Sequence, residues 1–154
     1  AQRNAYDAVV QFDADGQHLP PYIPVMQRAL IENDADIVIA SRFLDGSVKP
    51  SGARGAGSRL ITWLIKLTCG KTITDPTSGM RMFSKRMIEL FATGFDCAPE
   101  PDMVALIARK YGPVIEIQAQ MRERQGGESY LKLGNVVRYM ARTCLSILMS
   151  RFLR

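Results

Sequence analysis

The chain has 154 residues, 47% hydrophobic and 23% charged, with a net charge of +5. That length supports one domain with a real core, and the balance is that of a folded globular protein rather than a disordered or fibrous one. No run of eighteen apolar residues is present, so no membrane span is expected, and the polar, mixed first residues do not read as a signal peptide.

Cys69, Cys97 and Cys144 are odd in number and far apart, with no CxxC spacing. They suggest neither a zinc site nor a disulfide framework, and fit buried thiols in a reducing compartment. Much of the basic surplus lies late, at Arg122, Arg124, Lys132, Arg138, Arg142, Arg151 and Arg154. Such a surplus suits nucleic acid, anionic lipid or a phosphorylated substrate. No nucleic-acid motif or aromatic-interleaved basic stripe appears, which leaves phosphates and membranes.

In chain order, residues 2–5 read as the end of a helix and 8–12 (AVVQF) as a buried strand with two β-branched valines, broken by Gly16. Pro20 and Pro21 open a helix to about Asn33, with a stripe of Ile23, Met26, Leu30 and Ile31. Residues 35–40 (ADIVIA) are apolar on both faces, as a buried parallel strand should be. Residues 45–57, rich in glycine and proline, read as a mobile loop. A strongly apolar helix over 58–68 carries Trp63 and stops at Gly70. A turn then leads to a short strand (80–83), a short helix (85–92), a helix over 100–111 ended by Gly112-Pro113, and an alternating strand (114–121). Gly126-Gly127 is a second flexible joint before a long helix over 130–154. The alternation argues an α/β fold with parallel strands.

Asp13-Ala14-Asp15-Gly16 follows the first strand. Asp-x-Asp-Gly is an ordinary turn composition, yet two carboxylates one residue apart can also converge on one hard cation. With the amide oxygen of Gln17 they suit octahedral Mg²⁺ or Mn²⁺. Ligands of open α/β sheets bind outside the carboxyl ends of the strands, where these acids fall. His18 is the one histidine, and a lone histidine is more often structural than catalytic. Arg54 and Ser58 are one helical turn apart and can face one pocket, where a guanidinium and a hydroxyl make a phosphate cradle. By spacing alone, Arg54 and Arg59 are equally solvated residues at a helix start. Glu100 and Asp102 flank Pro101 at a helix N-terminus, where acids stabilise the helix dipole.

The string DADGQH resembles the metal-binding signature of family-two glycosyltransferases with a GT-A fold, especially the polyprenyl-phosphate, dolichol-phosphate mannose synthase-like branch. The likeness covers nearly the whole chain. Ser41-Arg42-Phe43 with the later R-x-x-x-S-R is similar to that branch's lipid-phosphate site, and Asp75-Pro76-Thr77-Ser78-Gly79-Met80-Arg81 to its D-x-x-S-G-F-R element, with Met80 in place of Phe. Arg122 to Ser129 is similar to its R-x-x-G-x-S stretch. The resemblance implies a Rossmann-like, mostly parallel sheet with flanking helices, lacking the earlier βα units that hold the nucleotide. Residues 1–129 would be the metal and acceptor half of the domain. Residues 130–154 would form an amphipathic helix, packed on the domain or at the membrane interface.

The function implied is inverting transfer of a hexose from a nucleotide-diphosphate sugar to a polyprenyl phosphate, in cell envelope glycan biosynthesis. Asp13, Asp15 and Gln17 would hold Mg²⁺ or Mn²⁺ and the leaving diphosphate. Arg42, Arg54 and Ser58 would position the acceptor phosphate, Asp75 would meet a sugar hydroxyl or cap a turn, and Arg124 and Ser129 would close the site. A second reading keeps the fold but uses a sugar-hydroxyl acceptor with Glu100 or Asp102 as base. The Q-x-x-R-W element of processive synthases is absent, which favours an already ionised phosphate. A third reading is a non-catalytic module whose basic helix binds membranes or a partner. A cytoplasmic location, peripheral on the inner membrane face, is expected, with no nucleic-acid partner and self-association through an exposed sheet edge.

Overall fold

The protein is described by a computed structural model that covers residues 1–14, 16–93, 100–122 and 133–150. After a 3₁₀ turn at Gln2–Asn4 come β1 (Ala8–Phe12), α1 (Tyr22–Glu32), β2 (Ile37–Ser41), α2 (Gly52–Cys69), β3 (Met80–Ser84), α3 (Lys85–Ala92), α4 (Pro101–Lys110), β4 (Val114–Gln118) and α5 (Leu133–Ser150).

β2 is buried along its whole length, and its alternation divides the core. Ile37 and Ile39 point to one face, with Ile61, Leu64 and Ile65 of α2, Met103, Val104 and Ile107 of α4, and Ile147 of α5. Val38 and Ala40 point to the other, with Met26 and Leu30 of α1 and with Met80 and Met82 of β3. The sheet therefore lies between α1 on one side and α2, α4 and α5 on the other. Burying a large aliphatic side chain contributes about 1.5–3 kcal/mol, so these two clusters are the main force holding the layers together.

Two expectations are corrected. The sheet is mixed: its order is β1-β3-β2-β4, β3 runs antiparallel to both β1 and β2, and β2 pairs with β4 in parallel. The reversal arises after α2, where the chain returns to the carboxyl end of β2 before β3 begins. Ser41 and Thr74 share a 2.7 Å hydroxyl hydrogen bond there. Polar turn residues carry no periodicity to reveal such a return. β1 is accordingly an edge strand and only half-buried, with Val9 and Phe12 exposed.

The second correction is at 52–57, expected as loop and found as the first turns of α2. Three glycines there oppose helix by roughly 1 kcal/mol each. Tertiary packing overrides them: a Cβ on Gly57 would sit 3.2 Å from the Met140 sulfur of α5, so its absence lets the two helices close together. The other elements fall near their expected bounds. Gly126-Gly127 and residues 130–132 and 151–154 of the expected last helix lie outside the described residues. No described helix is long and apolar enough to cross a membrane.

Candidate active site at the carboxyl edge of the sheet

β1 and β2 both oppose β3, and β4 runs with β2. Three strands therefore end on one edge, and the reversed strand begins there. That places Asp13 after β1, Arg42 after β2, and the Asp75–Gly79 turn ahead of β3 on a common edge.

Asp75 is fully buried and grips Arg42. The Arg42 Nε donates to its Oδ2 at 2.7 Å and Nη2 to its Oδ1 at 2.8 Å. The Arg42 backbone amide adds a third bond at 3.1 Å. This fork-on-fork geometry fixes a guanidinium more tightly than a point contact would. The Asp75 bond raises the Arg42 pKa against the opposing pull of burial. Thr77 donates to Asp75 and accepts from Arg42. Nη1 of Arg42 lies outside this grip.

The turn that carries Asp75 is itself held. Glu116 of β4 accepts from the Thr74 amide at 2.7 Å, the Thr74 hydroxyl at 2.9 Å and the Asp75 amide at 2.9 Å. Ser78 is buried and donates to the Ala40 carbonyl of β2 at 2.7 Å. Arg81 of β3 reaches back to the Pro76 carbonyl at 2.8 Å. The Asp13 carboxylate lies directly on Gly79, where any Cβ would overlap it. Glycine at that position is a requirement of close approach.

Arg81 is 2% exposed. Burial lowers its pKa, opposed by the nearby Tyr139 phenol and the carboxylates of Glu100, Asp75 and Asp13. An arginine starts so high that it stays protonated, so a fixed positive charge lies among the acids of the edge. The sequence reading gave no role to Arg81 or Glu116. The signal was present in both cases, as a charged residue inside an apolar strand (M-R-M-F and V-I-E-I), but alternation alone assigns such a residue to a solvated face.

Glu100 accepts a 2.5 Å bond from the Tyr139 hydroxyl of α5. Asp102 accepts one of 2.5 Å from Ser146 of α5 and one of 3.0 Å from the Met103 amide. Both acids therefore join α4 to α5. Gln17 is bonded to Arg122 in both directions, amide to carbonyl. His18 is buried with its ring edge-on to Phe12, centroids 5.8 Å apart. Ser58, on α2, is 8% exposed, and its hydroxyl has no hydrogen-bond partner among the described residues. The Arg54 side chain, Asp15, Arg124 and Ser129 lie outside the described residues.

Among the described residues no three His, Cys, Asp or Glu side chains form a metal cage. Asp13 fits one oxygen ligand of a hard cation: the residue is exposed and lies at a strand end, with its carboxylate against Gly79.

Residues 3–91 match the model of Glycosyl transferase family 2, and the chain belongs to that family. It is 33% identical over 144 residues to a dolichol-phosphate mannosyltransferase of Pyrococcus furiosus, covering 87% of this chain and 39% of that protein. To an undecaprenyl-phosphate mannosyltransferase of Micrococcus luteus it is 31% identical, covering 85% and 56%. To an undecaprenyl-phosphate 4-deoxy-4-formamido-L-arabinose transferase of Edwardsiella ictaluri it is also 31% identical, covering 91% and 42%. The chain thus spans about half or less of the length of these relatives.

Proposed function

We propose that the carboxyl edge transfers a hexose, with inversion, from a nucleotide-diphosphate sugar to a polyprenyl phosphate. The observation that carries this reading is the clamped Arg42. A guanidinium locked by a buried carboxylate, with Nη1 left over, is a preorganised donor for a phosphate oxygen. The relatives named for polyprenyl-phosphate sugar transfer support the same acceptor class.

In this reading the acceptor oxygen attacks the anomeric carbon as its bond to the diphosphate breaks. A phosphate with a second pKa of about 6 is already ionised and needs no protein base. Arg42 and Ser58 orient it, joined by Arg54 from the start of α2. Asp75 acts as the positioning residue for Arg42 rather than as a contact to sugar. Asp13, Asp15 and Gln17 would hold Mg²⁺ or Mn²⁺, which neutralises charge on the departing diphosphate. Arg124 and Ser129 would meet phosphate oxygens. The domain would work at a membrane surface, since its acceptor is a lipid, and we place it on the cytoplasmic face. The exposed edge of β1 offers a surface for self-association.

The test is transfer by the full-length protein, with polyprenyl phosphate competing against free sugars. Product on the lipid phosphate, lost with chelator and with Asp13→Asn, is expected. Glu100→Gln keeps an acceptor for Tyr139 and should retain most activity. Losing a general base costs about 10²–10⁴-fold, and a drop of that size in a folded variant would favour a hydroxyl acceptor instead.

A further inference from the structure

We propose that the buried guanidinium of Arg81 is the countercharge of the carboxyl edge: it touches no substrate, yet it sets how tightly the edge takes a cation and lets it take an anion. This rests on the reading above, because the cation and the anion are those of that site. Arg81 sits between Met80 and Met82 in β3, and those two pack on the α1 side of the sheet. Alternation turns Arg81 to the opposite face, where its neighbours across the ladder are Gln11 of β1 and Ile39 of β2. One step past the last β1–β3 pair, Asp13 comes opposite Gly79, and its carboxylate occupies the space a Cβ there would take. Two residues of strand, roughly 7 Å, separate that point from Arg81.

Two further acids lie around the same guanidinium. Arg81 Nη2 donates at 2.8 Å to the carbonyl of Pro76, next in the chain to Asp75. Glu100 caps the start of α4. Attraction to the carboxylates of Glu100, Asp75 and Asp13 works against the penalty of burying Arg81. None of the three depends on Arg81 alone: Asp75 holds Arg42, Glu100 holds Tyr139, and Asp13 is exposed. Burying a charge is costly, and the flanking methionines show that apolar side chains suit this strand. What Arg81 adds beyond packing is its charge. Arg42 is already spent on Asp75, which leaves Arg81 to answer Asp13 and Glu100. The edge must take a divalent cation beside Asp13 and a phosphate at Arg42. A fixed cation weakens the first and favours the second, and out of water it is little screened.

Arg81→Gln removes the charge and keeps an NH₂ donor for the Pro76 carbonyl. Calorimetry on the full-length protein, without turnover, measures Mn²⁺ alone and a short, water-soluble prenyl phosphate alone. Arg81→Gln should bind Mn²⁺ about tenfold more tightly and the phosphate about tenfold more weakly, the effect of one unit charge across roughly 10 Å of protein. Arg81→Lys, which keeps the charge, should hold both affinities near wild type. Damage to the fold weakens both ligands together, so opposite shifts are the mark of charge. Both affinities falling in Arg81→Gln overturns the proposal, as does neither moving. Loss of phosphate binding in folded Arg81→Lys overturns it too, since there the charge is still present, and that variant decides the question if Arg81→Gln does not fold. A wild type that takes Mn²⁺ but no prenyl phosphate would sink the acceptor reading, while tighter Mn²⁺ in Arg81→Gln would still uphold the countercharge.

Discussion

A buried aspartate pairs with a more exposed arginine at each end of β2, and the two pairs fix different things. At the amino end Asp36, 2% exposed, accepts from Arg86 Nε at 2.8 Å, the Gly112 amide at 2.6 Å and the Ser84 hydroxyl at 3.0 Å. At the carboxyl end Asp75, fully buried, accepts from Arg42 Nε at 2.7 Å. The ion pairs are nearly the same length. What differs is what each aspartate is asked to fix. Asp36 spends its oxygens on the end of β3, the start of α3 and the turn before β4, so it fastens elements to one another. Asp75 spends both oxygens on one guanidinium, and is itself fixed through its amide by Glu116. A charge pair with one buried partner is weak evidence for stability and better evidence for specified geometry. The geometry specified is a seam of the fold in one case and a fixed guanidinium, the proposed phosphate contact, in the other.

The largest effect should separate the two ends. Asp75→Ala in the full-length protein is expected to reduce transfer by at least about 10²-fold, because misplacing a binding group by an ångström costs that much. Asp36→Ala should instead lower stability by roughly 2–3 kcal/mol, since the Gly112 amide and the Ser84 hydroxyl lose a charged acceptor. Its transfer per folded molecule should stay near wild type. Denaturant melts and transfer rates on both variants check the pair. Equal damage to activity at both ends would erase the distinction.

A smaller effect is expected one step back from Arg42. Glu116→Gln replaces a carboxylate that accepts three bonds by an amide whose NH₂ must face other donors. Losing one charge-assisted bond of about 1.4 kcal/mol corresponds to about tenfold, which should appear in KM for the acceptor phosphate with kcat little changed. A purely structural role would lower the melting midpoint without that split. Glu116→Asp, which keeps the charge on a shorter arm, should recover part of the KM.

The strands were legible in the sequence, though neither their direction nor the two aspartate–arginine pairs were. The apolar runs gave the strands and their order along the chain, and D-x-D, S-R-F and D-P-T-S-G-M-R marked the segments that meet at the carboxyl edge. Strand direction was not legible, because a reversed strand has the same period as a parallel one. The partner of Asp75 was also hidden. Arg42 lies 33 residues away in the chain, and only the return of the chain after α2 brings them together. The glycines at 52–57 argued for loop, and packing against α5 outweighed them. The motif that contains Gly79 was legible, but not the Asp13 carboxylate that lies against it.

The smallest effect concerns the link from the carboxyl edge to α5. The Tyr139 pKa is pushed up, first by burial and then by the hydrogen bond to Glu100. An unfolded tyrosine ionises at about 10. Below that pH both states hold the proton and the contribution to stability is complete. As pH rises past it, the unfolded chain loses the proton while the folded one retains it, so that contribution is lost between pH 10 and the higher folded pKa. Tyr139→Phe removes both the titration and the bond to Glu100. At neutral pH the variant should be roughly 1–2 kcal/mol less stable, the worth of a hydrogen bond to a charged group. Above about pH 10 the gap between the two melting curves should narrow, since only the wild type loses this contribution. Unfolding followed from pH 7 to 11 measures it, and a gap that stays constant or widens with pH would mean that the Tyr139 phenol titrates as an ordinary exposed one. In that case α5 would not be tied to the charged edge through Glu100.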